Sequence, residues 1–150
     1  MKAKLLIVLG IAFGLAACQK DKFNTVPTLT FEGVNTQELR PNEGIIFKFR
    51  FTDKEGDIQD SMFVQKVTKN CERSDFDALY PLPSDFPERR NSEGEIEVRY
   101  AYGSGFIYPP IAEPQCEGQN DTCVFRFALK DKAGNTSDTV SSPQIILIKR

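Results

Sequence analysis

The chain has 150 residues, with 19 basic against 21 acidic side chains, no His and no Trp. A near-neutral balance without a basic stripe argues against nucleic-acid binding. The absence of His removes the usual general base and a common zinc ligand. Ten glycines, nine prolines and short alternating apolar runs point to an all-β fold, and no stretch reads as a long amphipathic helix.

The first seventeen residues read as a targeting segment. Lys2 and Lys4 are a positive start, and LLIVLGIAFGLAA from Leu5 to Ala17 is apolar but short for a bilayer-spanning helix. It ends in Leu15-Ala16-Ala17-Cys18. That tetrad resembles the lipobox of bacterial lipoproteins, where small residues admit the peptidase and the Cys thiol receives lipid. The resemblance implies cleavage before Cys18, a diacylglycerol on its sulfur and acylation of the new amino end. Several acyl chains anchor stably, since each buried CH₂ contributes about 0.8 kcal/mol. Loss of residues 1–17 removes two lysines and leaves 17 basic against 21 acidic residues, a net charge of −4.

Residues 18–26 then form a lipidated tether, and 27–150 the folded domain. Lys20-Asp21-Lys22 is similar to the charged patch that directs lipoproteins of the Bacteroidota to the cell surface, without its usual acidic pair. The expected address is the bacterial outer membrane, with the surface slightly favoured over the periplasmic face.

Thr28 to Val34 is the first expected strand, with Leu29 and Phe31 on one face. Asn42-Glu43-Gly44 breaks the chain before the stretch on which the domain is organised. Phe47 to Ser61, FKFRFTDKEGDIQDS, recurs in altered form at Phe125 to Thr139, FRFALKDKAGNTSDT. Ile45, Phe47, Phe49 and Phe51 share one face, with Lys48, Arg50 and Thr52 on the other; Cys123, Phe125, Phe127 and Leu129 do the same, with Arg126 and Lys130 outward. Period-two patterning with aromatics marks a half-buried strand. Asp-Lys-x-Gly supplies a turn: the Asp accepts backbone N–H bonds about two residues on, and Gly56 and Gly134 tolerate positive φ. Each copy is therefore expected to be a hairpin, the two facing each other in a sandwich. In the first, Ser61 to Val67 returns as partner strand with Phe63 and Val67 inward.

The turn chemistry explains the motif without a ligand. A second reading is that Asp53, Glu55, Asp57 and Asp60 collect hard oxygen ligands suited to Ca²⁺. The spacing is not that of an EF-hand, and the second copy has Ala133 and Asn135 in place of Glu55 and Asp57.

Residues 68–94 read as a long irregular loop with Cys71, Pro81, Pro83 and Pro87, functional or pinned by a disulfide. Glu95 to Tyr102 is a clear strand with Ile96, Val98, Tyr100 and Tyr102 on one face, and Pro143 to Ile148 is the last strand. After Cys18, the remaining cysteines are Cys71, Cys116 and Cys123, which allow one internal bridge. Cys116–Cys123 would close a short polar loop; Cys71–Cys123 or Cys71–Cys116 would tie the middle loop to the late hairpin. Cys71–Cys116 is favoured because both lie in irregular segments that need fixing.

About seven strands with two hairpins suggest an immunoglobulin-like antiparallel β-sandwich. KDKAGNTSDTV followed by Pro and an apolar strand resembles the closing hairpin of bacterial Ig-like and cadherin-like domains. FTDKEGDIQDS is similar to Asp/Gly-rich turns of small Bacteroidota lipoproteins of unassigned function.

An enzyme is not expected. Asp75, Asp77, Asp85, Glu88 and Glu93 are the carboxylates a glycoside hydrolase could use, but the sequence shows no pairing. Ser61, Ser92 and Ser104 lack a partner base. A binding or accessory module is the preferred reading, with Phe76, Tyr80, Phe86, Phe106 and Tyr108 as loop aromatics able to stack on a glycan or anchor a protein partner. Plugging the ends of the sandwich is their alternative role. A carboxylate-dependent hydrolase and a structural envelope spacer are the rival functions.

Overall fold

Alternating apolar residues fix two inner faces, and these meet in a two-sheet sandwich. The computed structural model describes residues 23–58, 61–71, 75–83, 88–103 and 107–149. Cys18, Asp60, Asp85, Phe86, Ser104 and Phe106 lie outside the described residues. No helix among the described residues is long and apolar enough to cross a membrane.

The first sheet has the order β1-β3-β6-β7, formed by β1 (Thr28–Val34), β3 (Gly44–Asp53), β6 (Ser92–Tyr102) and β7 (Pro110–Ile111). The second has the order β2-β10-β8-β4-β5, formed by β2 (Glu38–Leu39), β10 (Ile145–Leu147), β8 (Asp121–Lys130), β4 (Ser61–Thr68) and β5 (Phe76–Pro81). A short β9 (Val140–Ser141) also pairs with β8. The chain changes sheet from β3 to β4, back from β5 to β6, and again before β8. That exchange between two largely antiparallel sheets is the immunoglobulin-like architecture expected from the sequence.

The core lies where β3 and β8 cross. Phe47 packs on Phe125 and Phe127 with centroids 4.9 and 5.0 Å apart, and Phe49 packs on Phe127 at 4.6 Å. All four rings are fully buried. Tilted contacts of this kind add about 0.5–1.5 kcal/mol each beyond area burial.

The second copy of the repeat is the expected hairpin: β8 turns and returns through the Lys130–Thr136 bridge to β9. The first copy is not. β3 already has β1 on one edge and β6 on the other, so no edge is free for a return strand. Residues after Asp53 therefore cross to the second sheet, where β4 pairs with β8 and β5. The phase of β4 also differs from expectation. Met62, Val64 and Lys66 point inward, while Phe63 is exposed and Val67 half-buried. A one-residue change of phase exchanges the two faces of a strand.

Lys66 is thus in the interior. Its Nζ meets Asp121 Oδ2 at 2.5 Å, with both side chains essentially inaccessible. Such pairs form because an unpartnered buried charge costs more than the pair itself. The stretch expected to be one irregular loop contains β5 and the first residues of β6. At that end the Cys71–Cys116 disulfide forms as favoured from the sequence. Among the described cysteines Cys123 is free and buried, and burial pushes its thiol pKa up to about 12.

Two substitutions test this packing. Lys66→Met leaves Asp121 buried without that cation and is expected to cost about 3–5 kcal/mol in urea denaturation. Gly56 and Gly134 both have positive φ, but only at Gly56 would a Cβ strike backbone, 2.0 Å from Arg89 O. Gly134→Ala should then cost about 1–2 kcal/mol of backbone strain, and Gly56→Ala clearly more.

Candidate functional site

The two repeated turns end up side by side at one pole of the sandwich, because β3 and β8 lie face to face and both end there. In the first turn, Asp53 Oδ2 accepts the backbone N–H groups of Gly56 and Asp57. In the second, Asp131 Oδ1 accepts Asn135 N–H at 2.7 Å, and Asp131 Oδ2 accepts Asn135 Nδ2 at 2.8 Å. The turns are joined directly, since Lys132 N–H donates to the Asp57 carbonyl at 3.0 Å.

This brings one carboxylate oxygen from each of Asp53, Asp57 and Asp131 within 4.8 Å of the others. Asp53 and Asp131 are buried and Asp57 is half-buried. Among the described residues, Asp53 Oδ1 and Asp57 Oδ1 are buried without a hydrogen-bond partner. Two like charges at this distance repel by at least about 3 kcal/mol at an effective dielectric of 20. Burial raises the Asp53 carboxyl above its usual range, opposed by the Gly56 and Asp57 N–H groups and reinforced by the Asp57 and Glu55 charges.

The sequence-derived acid set is corrected here. Asp53 and Asp57 belong to the cluster. Glu55 is exposed and accepts a hydrogen bond from Thr25 Oγ1 at 3.3 Å, turned to the incoming chain rather than to the other acids. Asp131 was not in the expected set. Its signal was the repeat itself, which aligns Asp131 with Asp53; what one sequence copy could not show is that the two turns touch.

The chain entering the domain runs over the same pole. Lys54 N–H donates to the Asn24 carbonyl at 3.1 Å, and Asn135 Nδ2 reaches the Thr25 carbonyl at 3.5 Å. Segment 89–91 closes the other side, with Asn91 N–H donating to the Lys54 carbonyl at 2.8 Å.

The aromatic candidates divide differently. Phe76 and Tyr80 are not loop residues: both sit on β5, half-buried, with Phe76 packed on Tyr100 and Phe125 and Tyr80 on Tyr100. Phe76 is core. Tyr80 and Tyr108 instead meet at Arg99 on the open side between β5 and β6. The Arg99 N–H reaches Tyr80 Oη at 3.5 Å, and Arg99 Nη1 donates to Tyr108 Oη at 3.1 Å with its guanidinium over that ring. Glu97 holds Arg99 above its ordinary pKa, and Arg99 followed by Lys48 holds Glu97 below its own. A cleft of about 230 Å³ beside them is lined by Ile58, Tyr80, Leu82 and Ile96 among others. Leu79, 69% exposed, pairs across the outer face of β5 and β4 with exposed Phe63.

Among the described residues, the remaining candidate acids do not join the cluster. Asp75 accepts Thr68 N–H, Asp77 and Glu93 sit on exposed faces of different sheets, and Glu88 pairs with Lys132. Ser61 is buried on β4 and Ser92 opens β6.

No protein-family model matches the chain, and no curated protein matches it. Among solved structures, it is similar to the sporulation control protein Spo0M of Bacillus subtilis, with TM-score 0.46, 8% identity and 83% of this chain covered. The alignment covers 50% of that longer chain. It is also similar to a Niemann-Pick type C2 protein of the Japanese carpenter ant, with TM-score 0.45, 11% identity, 86% of this chain and 98% of that one covered.

Asp53→Asn keeps an acceptor oxygen for the turn and removes one buried charge. In the presence of EDTA it is expected to raise unfolding stability at pH 7 by about 1–3 kcal/mol. The sign follows from the raised pKa: the folded protein holds the proton more tightly, so wild-type stability rises as pH falls through the folded-state value toward the ordinary carboxylate range near 4. The variant should lose that contribution, which urea titrations across the window would read directly.

Proposed function

We propose that this chain is a lipid-anchored protein of the bacterial outer membrane, of the small Bacteroidota type, whose immunoglobulin-like domain is a binding or accessory module. The observation that carries this reading is Leu15-Ala16-Ala17-Cys18 at the end of a short apolar segment with two lysines before it. The Cys71–Cys116 disulfide supports it, because such bridges persist in oxidising compartments outside the cytosol.

The route of the chain supports an orientation. Asn24 and Thr25 are bonded to the acidic pole, so a lipid at Cys18 would keep that pole toward the membrane. The tyrosines around Arg99 on the open β5–β6 side have the mixed aromatic and charged chemistry of surfaces that take a protein or glycan partner.

Metabolic labelling with an alkyne analogue of palmitate tests the anchor. Wild-type chain should carry the label, sediment with membranes and lack residues 1–17 by mass spectrometry. Cys18→Ser should lose the label. An unlabelled wild-type chain with its leader still attached would sink the reading.

A further inference from the structure

We propose that the two repeated turns together build one Ca²⁺ site, with Asp53, Asp57 and Asp131 as its carboxylate ligands. The three oxygens lie within 4.8 Å of one another. Two oxygens bound to one Ca²⁺ at about 2.3–2.6 Å can be up to about 4.6–5.2 Å apart and three evenly spaced ones about 4.0–4.5 Å, so a spread within 4.8 Å is of the size that one ion gathers.

The hydrogen bonding of Asp53 points the same way. Its Oδ2 is engaged by the two N–H groups of its own turn, which is all the turn requires. Its Oδ1 is left over in a fully buried side chain with no partner among the described residues, and so is the buried Oδ1 of Asp57. A buried anionic oxygen without a donor is costly, and a cation removes that cost. Asp131 is held in place by Asn135 at both oxygens. Each of those oxygens keeps a second lone pair for a metal. Lys132, next to Asp131, reaches Glu88.

The donor set selects the ion. All three ligands are carboxylates, with neither His nor thiolate, which suits hard cations over zinc or copper. They come from two loops in an irregular arrangement, and Ca²⁺ accepts flexible geometry where Mg²⁺ demands a near-ideal octahedron. Carbonyl oxygens and water complete a Ca²⁺ shell of this kind. The role that follows is structural. The ion offsets the mutual repulsion of three acids and staples the β3–β4 crossover to the β8–β9 hairpin. Because Asn135 also contacts Thr25, the staple extends to the segment entering the domain. None of this depends on Cys18 carrying lipid.

The test uses the purified full-length chain in detergent, stripped with EDTA. Thermal unfolding and titration calorimetry are run with millimolar CaCl₂, MgCl₂ or chelator. Wild type and Glu55→Gln should bind Ca²⁺ and gain several degrees in melting temperature. Asp57→Asn and Asp131→Asn should bind none and gain nothing while still unfolding cooperatively. Asp57→Asn is the safer variant, since its Oδ1 accepts no hydrogen bond among the described residues. The proposal is overturned by absence of binding in wild type, by a Ca²⁺ response that survives in Asp131→Asn or Asp57→Asn, or by its loss in Glu55→Gln. An equal response to MgCl₂ overturns the choice of ion.

Discussion

Phe47 and Phe49 of β3 pack against Phe125 and Phe127 of β8, and the remaining structure is arranged around that crossing. The two strands come from the two copies of one sequence motif, yet they lie in different sheets. Their contact closes the sandwich. It also means that whatever follows each strand must emerge at the same pole. The Asp-containing turns are therefore neighbours for a reason of core packing, not of local sequence. Three acids share a small volume because four rings share another.

The opposite pole is held by different means. There Lys66 and Asp121 pair in the interior, and Cys71–Cys116 ties the segment after β4 to the segment before β8. Asn70 adds hydrogen bonds to Asn120 and Thr122 across the same gap. One end of the domain is thus fixed covalently and by a buried ion pair. The other carries three clustered carboxylates, bounded by the entering chain and by segment 89–91. The open side between β5 and β6 offers aromatic and charged groups without closing over them.

Much of the fold was legible in the sequence because strand patterning carries it. Ile45 to Phe51, Ile96 to Tyr102 and Cys123 to Leu129 each carry large apolar residues at every second position, and all three are strands with those residues inward. What failed was pairing. FKFRFTDKEGDIQDS reads as a hairpin because a local motif cannot reveal that both edges of β3 are already occupied by β1 and β6. The face of β4 was misjudged for a related reason. Phe63 looks more like a core residue than Lys66 does, until Asp121 is known to wait opposite in the interior. Strand β5 was hidden by Pro81 at its end and by its own half-exposed pattern. The acidic site was half legible: Asp53 and Asp57 are local to one turn, whereas Asp131 joins them only through the aromatic crossing.

The most direct measurement of that convergence is a double-mutant cycle between Asp57 and Asp131, which lie 74 positions apart in the sequence by their numbering. Urea unfolding in chelator would compare wild type, Asp57→Asn, Asp131→Asn and the double variant. Facing carboxylates require that relieving one charge removes part of the benefit of relieving the other, a coupling of about 1–3 kcal/mol. Effects that add to within about 0.5 kcal/mol would place the two turns apart and contradict the packing from which the site follows.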